Sequence, residues 1–198
     1  MSELNVCVFS LSEMPNQLSQ WRGYCPAEGG FAIEFDASKL ARQLLKEGFT
    51  LNKCDYDPHS QSKQIRSIVD SALTSFEDVA SGKKPINEFG GLAHTRLVTG
   101  LIGVAPYFKH PDFHEEREWR AAKLVMSNDP TMDYHIRGCI AIPHCNVKLD
   151  EIEREFPVKS VVVGPGPHQT LAFKGIAPVM FRAGVKSVSL SATPFRRM

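Results

Sequence analysis

Neither G-x-G-x-x-G nor G-x-x-x-x-G-K-[ST] occurs in the sequence, so the Rossmann and P-loop readings of a nucleotide site both fail. An excess of one charge is also missing. Lys+Arg total 23 and Asp+Glu total 22, a net charge of +1. Proteins that live on phosphate-backbone contacts usually carry a larger basic excess, so duplex DNA is not an expected partner, although a local patch can hide in a balanced total. No apolar run approaches the ~18 residues of a membrane span, so no membrane association is expected. The opening residues lack a basic stretch followed by a hydrophobic block, so no secretion leader is expected. There is no Cys-x-x-Cys. The five cysteines, Cys7, Cys25, Cys54, Cys139 and Cys145, are odd in number, which predicts free thiols in a reducing cytoplasm.

Metal-ligand spacing is missing too. His110 and His114 are four apart, a spacing that binds metal only on a helix, and Pro111 between them argues for a loop. Cys139, His144 and Cys145 match no established ligand pattern, so no metal is expected.

What is present is an ordinary globular composition over 198 residues, 42% hydrophobic and 23% charged. This predicts a single soluble domain over 1–198 of α/β (α+β) class, a mixed β-sheet with helices packed on it. Strands are expected at Val6–Ser10, Phe31–Phe35, Phe49–Tyr56, Glu118–Val125, Met132–Ile136, Cys139–Ile142, Val158–Val163 and Val185–Leu190. Asp36 and Ser38 can cap a helix carrying Leu40, Ala41, Leu44 and Leu45 at the 3.6 period, with Gly48 at its end. The clearest helix runs from Pro58 to Val79, with Ile65, Ile68, Val69, Ala72, Leu73 and Phe76 on one face. A second is expected over Ile86–Gly103, weakened by Gly90-Gly91; the pair forms a central helical insertion at about 58–104. His168–Ala183 reads as an amphipathic helix that Pro178 breaks or kinks.

Several residues carry chemistry. Ser10 and Ser12 share a strand face and can orient a ribose or phosphate, or simply bond to local backbone. Trp21 and Tyr24 can stack on a base or nicotinamide, with Arg22 holding a phosphate; Trp21 reads more simply as a plug at the core edge. Glu116 and Glu118 are expected on one face of a strand, with Arg120 continuing the line and Trp119 pointing to the core. Two such carboxylates can divide acid and base work, or form Glu–Arg pairs at a solvated edge. The turn Gly164-Pro165-Gly166-Pro167 sits where phosphate sites often lie, but its prolines remove two amide donors.

Short motifs follow one another along the chain: Val8-Phe9-Ser10, then Leu18-Ser19-Gln20-Trp21-Arg22-Gly23-Tyr24, then Gly30 to Asp36. Lys109 with Glu116, Glu118-Trp119-Arg120 follows, then Val161-Val162-Val163-Gly164-Pro165, and finally Ser191 with Pro194-Phe195-Arg196. Their order resembles a bacterial family known as domain of unknown function 2971, and the resemblance covers nearly the whole chain. It implies a landmark set of Ser10, Trp21, Tyr24, Glu118, Arg120, Ser191 and Arg196, expected to converge on one cleft. It also implies a segment with Asn-Asp-Pro before the first strand; this chain begins almost at that strand and is expected to be a short form, a fragment, or a member that completes its site with another chain.

Three functions compete. The leading one is a binding or regulatory domain that recognises a small nucleotide-like ligand or a protein partner through Trp21, Tyr24 and the arginines, associated with defence against phage or with stress response. The alternative is an NAD-dependent enzyme like the ADP-ribosyltransferases, with NAD as cofactor, Ser10 and Ser12 supporting the nicotinamide ribose, and Glu116 and Glu118 acting at the acceptor and the oxocarbenium-like transition state. The third is a hydrolase or nuclease built on Lys109, Glu116 and Glu118. In these readings Ser10, Glu116 and Glu118 are the catalytic candidates; Ser12, Trp21, Arg22, Tyr24, Arg120, Ser191 and Arg196 hold ligand.

Overall fold

The computed structural model describes residues 4–82, 91–149 and 156–194. The class is α+β, as expected. In chain order the elements are β1 (Leu4–Ser12), α1 (Leu18–Tyr24), β2 (Phe31–Phe35), α2 (Ala37–Lys46), β3 (Thr50–Lys53), α3 (Pro58–Ala80), α4 (Gly91–Val104), β4 (Glu118–Met126), β5 (Met132–Arg137), β6 (Ile140–Cys145), β7 (Val158–Val163), α5 (Gln169–Arg182) and β8 (Ser187–Leu190). Two 3-10 turns, Ala105–Tyr107 and Pro111–Glu116, precede β4. The strands form sheets in the orders β1-β4-β3, β2-β7-β8 and β5-β6. The chain divides into two compact units. One holds the described residues up to Cys7, Ser12–Leu51 and the described residues from Lys123 onward; the other holds Val8–Leu11 and the described residues of Asn52–Ala122.

In the first unit β7 is central. It pairs antiparallel with β2, Phe31 opposite Val163 and Ile33 opposite Val161, and parallel with β8. α5 supplies the crossover that a parallel neighbour requires. Val158, Val161 and Val163 of β7 are buried, whereas Lys159 stays exposed. Val158 and Val161 join Val185 in a core that Phe35, Phe156, Met180 and Val188 extend. α5 continues through Pro178 from Gln169 to Arg182 and is not broken there.

Asp36 caps α2, accepting from the Ser38 and Lys39 amides at 3.1 Å each. Leu40, Gln43 and Leu44 are buried, whereas Leu45, expected on the same stripe, is 73% exposed. The β5–β6 hairpin turns on Gly138 and Cys139. Only Gly138 has a positive φ, 63°, the pattern of a type II′ turn, where glycine leads.

Trp21 of α1 is 8% exposed and lies against Gly164, just after β7. Its indole N–H donates to Asn16 Oδ1 at 2.7 Å. The Ser191 hydroxyl donates to the same oxygen at 2.6 Å, and the Thr193 hydroxyl at 3.2 Å. One amide oxygen thus ties the start of α1 to the segment after β8.

In the second unit Asp57 starts α3, accepting from the His59 and Ser60 amides at 3.0 and 3.1 Å. α3 packs against α4. Gly100 of α4 lets Ile68 of α3 approach so closely that a Cβ would lie 2.7 Å from its Cγ2. Arg96 donates to Ser75 across the pair. Ala72 and Ser75 are buried, while Ile65, Val69, Leu73 and Phe76 of the predicted stripe stay substantially exposed. The expected start of the second helix at Ile86 lies outside the described residues.

Gly164→Ala tests the Trp21 packing. Its Cβ would meet Trp21 Cζ3 at 2.6 Å and Gly30 O at 3.0 Å. Overpacking of this kind costs about 1–3 kcal/mol, and urea unfolding should show a loss of that size with an unchanged m-value.

Candidate functional site

The second unit contains a closed group of charges built around Glu118. Its framework is backbone. The Asp55 amide donates to Tyr107 O at 2.8 Å and the Lys109 amide donates to Asp55 O at 3.0 Å. The Gln61 side-chain amide, from α3, bridges Asp55 O and Lys109 O at 2.7 and 3.0 Å. Arg117 then takes φ 43° and ψ 52°, a left-handed conformation that costs a non-glycine residue roughly 1–2 kcal/mol. It redirects the chain from the 3-10 turn into β4. The Glu118 amide donates to the Tyr56 hydroxyl at 2.8 Å, and the Glu118 carbonyl accepts from the Cys54 amide at 2.8 Å.

The side chains close on this frame. Lys109 Nζ donates to Glu116 Oε2 and Glu118 Oε2, at 2.5 Å each. Arg120 grips Glu118 with both prongs, Nε to Oε1 at 2.8 Å and Nη2 to Oε2 at 3.2 Å. Its remaining prong reaches Pro106 O at 2.6 Å. The Ser10 hydroxyl also donates to Glu118. Glu118 is only 5% exposed. Two carboxylates and two cations balance, which burial of this kind demands.

Burial raises the Glu118 pKa, but hydrogen bonds from Arg120, Lys109 and Ser10 more than offset it and bring it down to about 2. For Lys109, burial acts downward and the bonds to Glu116 and Glu118 outweigh it, so its pKa rises. Glu118, chiefly, raises Arg120. Burial pushes up the Cys54 thiol and the Tyr56 phenol. At neutral pH Glu118 and its two cationic partners are therefore fixed in their charged forms. A base needs a pKa near the working pH, and Glu118 lies far from it.

Some sequence-predicted residues meet here and others do not. Glu116, Glu118, Arg120 and Ser10 do, with Lys109. The expected reason for the Glu116–Glu118 pairing is corrected: Glu116 ends a 3-10 turn rather than sitting on the strand, and Arg117 brings the two carboxylates together. The expected faces are also corrected, since Glu118 is buried and Trp119 only partly so. Ser12 lies in the other unit, where its hydroxyl accepts from the Met14 amide at 3.0 Å. Trp21 and Ser191 belong to the Asn16 knot. Arg22 and Tyr24 are exposed on α1, Tyr24 at 70%. Arg196 lies outside the described residues.

Tyr56, Cys54 and Asn16 escaped the sequence reading. A Cys54-Asp55-Tyr56-Asp57 run before a helix was a usable signal, but nothing local marks Asn16. Among the described residues, no group of three or more His, Cys, Asp or Glu side chains is placed to hold a metal ion, and no helix is long and apolar enough to cross a membrane.

A feature without sequence signature is a cleft of about 630 Å³ in the first unit, lined by β2, β7 and the C-terminal end of α5. Lys39, Lys159, Arg182 and Lys186 line it, with Glu34 and Asp36. Both acids are engaged. Glu34 accepts from the Ser160 hydroxyl at 2.6 Å and lies 3.6 Å from Lys159 Nζ. Asp36 caps α2, and the hydrogen bond from the Lys39 amide, first among several causes, holds its carboxyl below the ordinary value.

The pH dependence of stability tests the charge cluster. The folded pKa of Glu118, about 2, lies below its ordinary 4.5, so its contribution is complete above about pH 5 and disappears as pH falls through 2. Urea unfolding at a series of pH values should show the wild type losing stability across that window and Glu118→Gln losing less. At pH 7 the variant should be less stable by about 3 kcal/mol, because Lys109 and Arg120 keep buried charge without its counterion.

Comparison with known proteins finds no matching curated protein and no matching solved structure. A family model described as "Protein of unknown function (DUF2971)" matches residues 20–121. That span contains Trp21, Arg22, Tyr24, Lys109, Glu116, Glu118 and Arg120; Ser10, Ser12, Ser191 and Arg196 lie outside it. The match runs over half of the chain and includes the Lys109–Glu118–Arg120 cluster, and the protein belongs to this DUF2971 family.

Proposed function

We propose that the protein is a binding module for a small phosphate-bearing, nucleotide-like ligand, held in the basic cleft of the first unit, and that the Glu118 cluster is a scaffold rather than a catalytic centre. The observation that carries this reading is the cleft itself. Lys39, Lys159, Arg182 and Lys186 outnumber Glu34 and Asp36, and both acids already have partners. Ammonium and guanidinium groups are the usual donors to phosphate. A volume of about 630 Å³ falls within the ordinary range of small-molecule sites. The C-terminal end of α5 contributes roughly half a negative charge, which four cations outweigh. Absence of a free base at Glu118 supports binding over chemistry. A reducing, cytoplasmic setting belongs to the same reading, supported by the five cysteines, all free.

One contact favours the competing NAD-dependent transferase: the Ser10 hydroxyl reaches Glu118, as a serine supporting a catalytic glutamate would. That chemistry requires Glu118 to exchange Arg120 or Lys109 for a ribose hydroxyl.

Calorimetry and thermal shift on the whole chain separate the two, using ATP, ADP, NAD and inorganic phosphate as probes. A ligand at a hundred times its Kd stabilises by about 2.7 kcal/mol, which raises Tm by roughly 5–10 °C at this chain length. Nucleotide binding should weaken at least tenfold in an Arg182→Ala, Lys186→Ala double variant and stay unchanged in Glu118→Gln. Failure of every probe to bind, or equal affinity in the double variant, sinks the proposal. Binding of NAD alone, abolished in Glu118→Gln, would put the transferase in its place.

A further inference from the structure

In the first unit three sulfur atoms meet at one point. Cys7 comes from β1, and Met132 and Cys145 stand directly opposite each other in the β5–β6 hairpin. Cys145 Sγ lies 3.0 Å from Cys7 Sγ and 3.7 Å from Met132 Sδ, and Cys7 Sγ lies 4.0 Å from Met132 Sδ. All three side chains are partly buried, sheltered but reachable. Side chains alternate along strands, so Asp133 and His144, one position on, project from the opposite face of the hairpin. The donors that meet here are two thiols and a thioether.

We propose that Cys7, Cys145 and Met132 form a three-sulfur site for a soft monovalent cation, Cu(I). Thiolate and thioether ligands together select Cu(I) over the hard divalent ions, which prefer oxygen, and zinc sites normally call for four ligands. The distances fit. Three sulfurs in a plane, each about 2.3 Å from a central ion as in metal thiolates, stand about 4.0 Å from one another. Two of the three separations already match, and the Cys7–Cys145 pair has only to open by about 1 Å. A disulfide would use two of the three sulfurs and leave the thioether with no part to play.

Binding displaces protons: Cu⁺ + 2 RSH + R′SR″ → [Cu(SR)₂(R′SR″)]⁻ + 2 H⁺, with both protons leaving to solvent and no change of oxidation state. Burial, and then the neighbouring Cys7 thiol, raise the Cys145 thiol to about 11, so at neutral pH its proton must be displaced by the metal. The charged groups that act on this thiol are Lys123, which favours the anionic site, and Asp129, which opposes it. The site is separate from the phosphate cleft, and either can fail without the other.

The test is anaerobic competition between the reduced full-length protein and the coloured Cu(I)–bicinchoninate complex. The wild type should withdraw one equivalent more than a Cys7→Ser, Cys145→Ser double variant, which controls for the other three cysteines. Met132→Leu keeps the side-chain volume and both thiols, so it should fold, and it should bind at least tenfold more weakly. Circular dichroism confirms that each variant is folded. Equal withdrawal by the wild type and the double variant overturns the site, and so does wild-type affinity in Met132→Leu. A protein that takes no Cu(I) when reduced and forms a Cys7–Cys145 disulfide in air also overturns it, and shows a redox pair instead.

Discussion

Glu118 carries a full charge with almost no access to water, and its surroundings are arranged around that fact. An unpaired carboxylate in such a place would be protonated or would unfold the site. Two hydrogen-bonded cations and a serine hydroxyl prevent both. Each donor in turn needs a support: Lys109 is held by Asp55 and Gln61, Arg120 by the Pro106 carbonyl, and the Glu118 backbone by Tyr56 and Cys54. The left-handed turn at Arg117 is tolerated because the residues on either side of it are held on the same lysine. The arrangement is tightly specified, and a carboxylate with this many donors has little affinity left for a proton.

The residues that looked most chemical in the sequence are used largely within the fold. Trp21 and Ser191 meet at Asn16, and Ser10, Glu116, Glu118 and Arg120 meet at Lys109. The cations that line the cleft come from lysines and an arginine with no motif around them.

Secondary structure was legible wherever it rested on local rules. The valine run predicted β7 to its observed ends, Asp36 marked the start of α2, and the alternation of Phe31 to Phe35 marked β2. Packing was less legible. A helical stripe shows which side of α3 is apolar but not how completely a neighbour covers it, and Leu73 and Phe76 on that stripe stay substantially exposed. Leu45 failed for the same reason. The meeting of Glu116 and Glu118 was foreseen through a strand period that does not reach Glu116, because an arginine in a left-handed conformation leaves no trace in the sequence. The Asn16 knot joins positions 175 and 177 residues apart, beyond any pattern read along the chain.

The type II′ turn at Gly138 has a consequence for the order of assembly. A hairpin closed by two residues brings its strands together within microseconds, through contacts local in the sequence. The β2–β7 pairing joins Glu34 to Ser160 across 126 residues, a slow closure by any measure of loop entropy. During synthesis β2 must therefore wait, its exposed Phe31 and Ile33 unpaired, until β7 has been made 126 residues later. The first unit is begun by β2 and completed only when β7 and β8 are added. The hairpin strands lie between them in the sequence and can pair before that late closure.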